Sequence, residues 1–138
     1  MAFLIELPIR SMPQPRPRLA RGRVHYPNPF EAYRRKTIAL LRSAWHALGR
    51  PWVEPPIGVL LEFGGPKRGD IDNHVKAWLD LLGQAFLWDD RHVYEVAARW
   101  REGEKPGVRI VIYSTSDQNK GDEAIPCWLC RQPPNGLA

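Results

Sequence analysis

The sequence predicts an α+β domain in which a small mixed β-sheet carries two helices, in the order β-α-β-α-β-β. Two stretches repeat apolar residues at helical spacing, and four short stretches are either continuously apolar or alternate with a period of two. Proline- and glycine-rich breaks separate them. With 138 residues, 43% hydrophobic and 25% charged, the chain suits one domain with a buried core, assigned to residues 1–113, and a tail over 114–138.

The opening "FLIELPI" is β-prone and stopped by proline, so residues 3–9 read as a strand. Residues 10–29, "RSMPQPRPRLARGRVHYPNP", hold five prolines and no acid, which favours an extended or turning arm that keeps Arg10, Arg16, Arg18, Arg21 and Arg23 outside. From Phe30 to about Leu48, Ile38, Leu41, Ala44 or Trp45, and Leu48 share one helical face, leaving Arg34, Arg35, Lys36 and Arg42 on a basic outer side. "IGVLLEF", residues 57–63, reads as a buried strand broken by "GGPKRG". A second helix is expected from about Asn73 to Leu82, with Gly83 as its stop. "HVYEVAARW" and "GVRIVIY" alternate as two strands, expected to form a hairpin through "REGEKP".

Charge is unevenly spread along this chain of net charge +5. Residues 1–50 carry ten Lys/Arg against two acids, a net +8, whereas residues 51–138 carry ten against thirteen, a net −3. A basic arm therefore joins an acidic centre. Such a cationic surface suits a polyanion, with nucleic acid the first candidate and an anionic membrane the second. No stretch is long enough to span a membrane, and the N-terminal apolar run lacks a basic start, so the expected location is the cytoplasm. Cys127 and Cys130 form a lone C-x-x-C without a second ligand pair, and free thiols are the expectation.

The acidic centre is concentrated in "RGDIDNHVKAWLDLLGQAFLWDD", residues 68–90. Val75, Trp78, Leu79 and Leu82 form the core stripe of its helix, and Asp72, Lys76 and Asp80 line one flank. Asp72 stands where an N-cap belongs, and Asp70 precedes it on extended chain, so both carboxylates can face one spot. Six residues from Gln84 to Asp89, if extended, are long enough to return Asp89 and Asp90 to the helix start, although a partner subunit is an alternative source of these groups. Crowded carboxylates are costly unless they share protons or bind a cation. All-oxygen ligands without His or Cys favour Mg²⁺, with Mn²⁺ as a substitute, in a site that activates water against a phosphodiester. Lys76 is then placed to stabilise developing charge, and Lys67 and Arg68 to hold flanking phosphates. Singly, each feature has a plain structural explanation as a cap, an i,i+4 pair or a turn. The joint pattern D-x-D-N-x-x-K-x-x-x-D, followed nine residues later by D-D beside a basic arm, is what points to chemistry.

Through "DIDNHVKAWLDLL" and "WDDRHVYEV", and more loosely "PRPRLARGRVHYP", the chain resembles the RusA family of Holliday junction resolvases over roughly residues 5–113. The resemblance implies a homodimeric, magnesium-dependent endonuclease, often carried by phages and prophages, that cuts two symmetrically placed strands of a four-way DNA junction in recombination and repair. It implies Asp70, Asp72 and Asp90 as essential metal-binding carboxylates, Asp89 and Asn73 in support, and Lys76 as the essential basic residue. Arg16, Arg18, Arg21, Arg23, Lys67 and Arg68 are the expected DNA contacts. His74 stands where the family pattern is apolar. Phe30, Tyr26 and Trp128 are candidates to stack on unpaired bases, while Trp45, Trp78 and Trp100 read as core. Two rivals remain: a non-catalytic DNA-binding accessory protein with structural aspartates, and a DxD glycosyltransferase, for which 138 residues leave little room.

Overall fold

The computed structural model describes residues 2–16, 18–20, 22–25 and 28–116. The expected tail beyond Ser116, with Cys127, Trp128 and Cys130, lies outside the described residues, as do Arg21 and Tyr26. Among the described residues, six strands and two helices follow in the order β1 (Ala2–Leu7), β2 (Arg18–Ala20), β3 (Arg23–His25), α1 (Asn28–Ala47), β4 (Ile57–Gly64), α2 (Ile71–Phe86), β5 (Val93–Arg101) and β6 (Gly107–Ser114). The α+β class is as the sequence predicts. Within the arm, β2 and β3 pair antiparallel as a small separate ladder. No helix among the described residues is long and apolar enough to cross a membrane.

The main sheet has the order β1-β6-β4-β5, with β4 and β5 parallel and the other pairs antiparallel. This corrects the expected hairpin. β5 and β6 are not neighbours, because β4 lies between them and the connection through Glu102–Pro106 crosses the end of β4. "GGP" makes that crossing possible: a Cβ at Gly64 would collide with the Lys105 carbonyl, and Gly65, at φ +98°, lies against Pro106. The residues that read as a strand breaker are thus the space in which one connection passes over another strand.

One face of the sheet carries the core. Ile5 and Leu7 of β1, Ile57, Val59, Leu61 and Phe63 of β4, and Val108, Ile110 and Ile112 of β6 alternate inward against Leu41 of α1 and Trp78, Leu81, Leu82, Ala85 and Phe86 of α2. Trp45 and Trp100 pack at its margin. Arg42 is exposed as expected and also donates to the carbonyls of Gln84 and Ala85, and Arg34 bonds Gln84 and Glu31. Arg42 thus serves backbone carbonyls at the C-terminal end of α2 that lack helical partners, while Arg34 holds the Gln84 side chain.

The opposite face holds a charge ladder. Glu6, Arg109, Glu62 and Arg99 stand in register across all four strands. Arg109 lies 3.3 Å from Glu6 and 3.5 Å from Glu62, and Arg99 lies 2.5 Å from Glu62, which is only 4% exposed. A carboxylate buried that deeply is tolerable because cations flank it on both sides. Four residues along each strand, on the same face, the Tyr113 ring crosses Gly58 and its hydroxyl donates to Glu95. A methyl at Gly58 would fall within that ring, so Gly58→Ala should lose about 1–3 kcal/mol in urea unfolding. Gly103→Ala, in open space, should leave the midpoint unchanged.

Candidate active site

The parallel pairing of β4 with β5 decides where the acidic residues go. After β4 the chain must travel back along the sheet before β5 can begin, and α2 makes that return. Its 16 residues span about 24 Å, close to the length of an eight-residue strand. One pair of aspartates sits at the helix start and the other follows its end.

At the start, Gly69 adopts φ +75° and turns the chain into Asp70, whose backbone is extended. The Asp70 carbonyl accepts from Asn73 N–H at 3.2 Å and His74 N–H at 3.4 Å, which makes Asp70 the N-cap. The expected cap, Asp72, is instead inside the first turn, because its backbone is already helical. Asp70 makes no side-chain capping bond, so both carboxylates remain exposed at the positive end of the helix dipole. Asn73 is exposed and its carbonyl accepts from Gln14 N–H at 3.2 Å. Lys67 and Arg68 are exposed on the loop just before them.

His74 holds this end together. It is fully buried, with its edge against the Trp100 ring at 4.6 Å and Phe63 at 5.6 Å. Nδ1 lies 2.7 Å from Ser11 Oγ, and Nε2 lies 2.5 Å from the Arg68 carbonyl. Because a carbonyl only accepts, Nε2 carries the proton and Nδ1 accepts from the serine hydroxyl. Trp78 Nε1 donates to the same Ser11 oxygen at 2.9 Å. One imidazole therefore ties the start of the arm to the loop bearing Asp70. Both of its ring nitrogens are satisfied.

At the other end, α2 runs on to Phe86 and closes through Leu87 in the left-handed region at φ 60°, where Gly83 was expected to stop it. Trp88 N–H bonds the Gly83 carbonyl at 3.2 Å. Asp89 accepts from Arg91 N–H at 3.0 Å and pairs with its guanidinium at 3.2 Å; these hold the carboxyl below the usual range, the backbone bond contributing most. Asp90 opens a single 3-10 turn, Asp90–His92. Asp80, one turn past the exposed Lys76, shares an open groove of about 530 Å³ with Asp89 and Asp90. Desolvation, then the charge of Asp90, pushes the Asp80 carboxyl up, opposed by Gln14 and Lys76. The sequence signal for Asp80 was its i+4 spacing from Lys76.

Asp89 and Asp90 thus face Asp80, not Asp70. The expected return to the helix start required a long extended segment after Gly83, and only Leu87 and Trp88 separate the helix from Asp89. Their oxygen-only chemistry suits a hard divalent ion. Among the described residues of one chain, however, no three His, Cys, Asp or Glu side chains come together in a way that could hold one. Of the arm cations, Arg16 is exposed, and Arg18 and Arg23 lie in the β2–β3 ladder.

Burial holds the His74 imidazole below its ordinary pKa of about 6.5; the Arg68 carbonyl pulls the other way and the Lys67 charge reinforces the depression. The unfolded chain then binds a proton that the folded chain refuses, so stability is full above about pH 6.5 and falls as pH drops below it. Urea midpoints at pH 7.5 and 5.5 should fall more for the wild type than for His74→Gln, which has nothing to protonate there.

A family model described as Endodeoxyribonuclease RusA matches residues 8–113, spanning the arm, both helices, β4, β5 and all but the last residue of β6. No curated protein matches the chain. Among solved structures, a 2C-methyl-D-erythritol-2,4-cyclodiphosphate synthase is similar at 19% identity and TM-score 0.33, over 54% of this chain and 49% of that one. The Plasmodium vivax 2C-methyl-D-erythritol 2,4-cyclodiphosphate synthase is similar at 12% identity and TM-score 0.37, over 80% and 91%. The chain thus spans about half the length of the first of these. With the acidic helix, the basic arm and the matched region in agreement, the chain belongs to the RusA endodeoxyribonuclease family, a family of DNA-cleaving nucleases.

Proposed function

We propose that the protein is a magnesium-dependent endonuclease that resolves four-way DNA junctions as a homodimer, with Asp70, Asp72, Asp89, Asp90 and Lys76 at its reactive centre. The observation that carries this reading is the Asp70 carboxylate, which sits at a helix cap without performing the capping bond and stands exposed beside Asp72. Mg²⁺, or Mn²⁺ in its place, would supply charge neutralisation at the phosphate and a water of lowered pKa. The chain's own residues do the rest. Lys76 stabilises charge on the leaving oxygen, Lys67 and Arg68 hold neighbouring phosphates, Asn73 supports the aspartates, and Arg16, Arg18, Arg21 and Arg23 of the arm follow the DNA backbone.

The second copy answers the separation of the carboxylates. β5 is an edge strand, and beside it Leu87 is 81% exposed, Tyr94 72% and Val96 41%, an apolar edge that a lone soluble chain would ordinarily protect. A leucine at positive φ with its side chain in solvent is a local cost that an interface would repay. Antiparallel pairing of two β5 edges about a two-fold near Glu95 sets Tyr94 against the partner's Val96. It also directs the partner's 3-10 turn, which carries Asp90, toward the Trp100 end of β5, where the Trp100 ring packs on His74 beside the start of α2. Each centre then joins Asp70 and Asp72 of one protomer to the partner's Asp89 and Asp90, and two such centres face two symmetric phosphodiesters.

The rival is a binding protein whose aspartates are structural. On a synthetic four-way junction, wild type with Mg²⁺ should cut paired strands, and Asp70→Asn or Asp90→Asn should abolish cutting while binding persists or tightens. Binding without cleavage in either metal would favour the rival.

A further inference from the structure

We infer that the groove between the arm and α1 is a seat for one unstacked nucleobase of the bound DNA strand, an inference that rests on the DNA-binding reading above. The groove has a volume of about 470 Å³, ample for a flat ring with its sugar. Its walls are apolar: Met12 and Pro13 on the arm side, and Phe30 and Tyr33 on the helix side. Those two rings stack at 6.5 Å and 27°, and Phe30 is buried beneath, so a broad aromatic surface is fixed in place. Tyr33 is held further by its hydroxyl, which donates to the Arg10 carbonyl at 2.8 Å.

Charge selects the occupant. Arg10 and Arg68, both exposed, line the groove, and among the described residues no carboxylate does. The grooves beside Glu6 and Glu62, beside Glu31 and Asp80, and beside Asp89 and Asp90 are each lined by acids that repel a phosphate. An apolar, aromatic slot with two guanidinium groups beside it matches a nucleotide in outline: base on the ring, phosphate on the arginines. Position adds to this. Arg68 is two residues from Asp70, and its carbonyl is pinned by His74, so a base seated here belongs to a nucleotide close to the one cut.

The seat has a consequence for selectivity. Drawing a base out of a continuous duplex costs stacking and pairing energy, and that cost is least where stacking is already interrupted. A base at the exchange point of a branched junction meets that condition; one within linear DNA does not. The groove would therefore favour branched substrates without reading sequence.

The test uses full-length protein and four-way junctions carrying one abasic site, stepped through the nucleotides flanking the exchange point, with binding measured in EDTA. For wild type, one abasic position should weaken binding about tenfold, the usual size of a lost base–aromatic stack. Tyr33→Ala should weaken binding to the intact junction comparably and lose that positional sensitivity, while Tyr33→Phe should keep it. Independently of any variant, 5-iodouracil at the sensitive position should photo-crosslink wild-type protein within residues 10–33 or at Arg68. Identical abasic profiles in wild type and Tyr33→Ala, crosslinks elsewhere, or displacement by millimolar free deoxynucleotide without positional sensitivity would each overturn the seat. Loss of cleavage with the profile intact would sink only the catalytic reading; failure to bind any DNA would sink both.

Discussion

Two strands lie side by side and point the same way, and that constraint organises the molecule. Because β4 and β5 are parallel neighbours, the chain between them must retrace the length of the sheet, and α2 is the segment that does so. The five aspartates between positions 70 and 90 are all hung on this helix or just beyond its ends. Asp70 and Asp72 mark its start, Lys76 and Asp80 its flank, and Asp89 and Asp90 its exit. Strand length thus sets the separation of the carboxylates, and shortening that separation within one chain would mean breaking the parallel pair.

The start of α2 is the better-organised end. His74 bridges Ser11 and the Arg68 carbonyl from a fully buried position, and Gln14 adds a backbone bond to Asn73. A polar network inside an apolar shell is stable only when its members are satisfied, and here each imidazole nitrogen has a partner. The same bonds attach the arm to the loop that carries Lys67, Arg68 and Asp70. The arm is therefore mechanically close to the carboxylates, through one turn of helix and one side chain.

Much of this was legible in the sequence. The helical period around Trp78 and the β-branched run from Ile57 to Phe63 located the core because burial imposes those periods directly. Topology was less legible: a six-residue connection containing glycine suits a hairpin, and nothing local in "REGEKP" says that it passes over another strand. The information sat some forty residues earlier, in Gly64 and Gly65. The helix end was misplaced for a related reason. Gly83 is a good C-terminal signal, but Ala85 and Phe86 extend the buried face and the packing they contribute carries the helix past it, at the expense of a left-handed Leu87. That four-residue difference turned an expected convergence of aspartates into a separation.

The central claim is that one chain contributes half of each reactive centre. Asp70→Asn and Asp90→Asn proteins, each inactive alone, can be mixed and allowed to exchange subunits. In the mixed dimer one centre would carry both lesions and the other neither, so junction nicking should reappear in the mixture with magnesium. A mixture that remains inactive, although native mass spectrometry shows the mixed dimer has formed, would contradict the account.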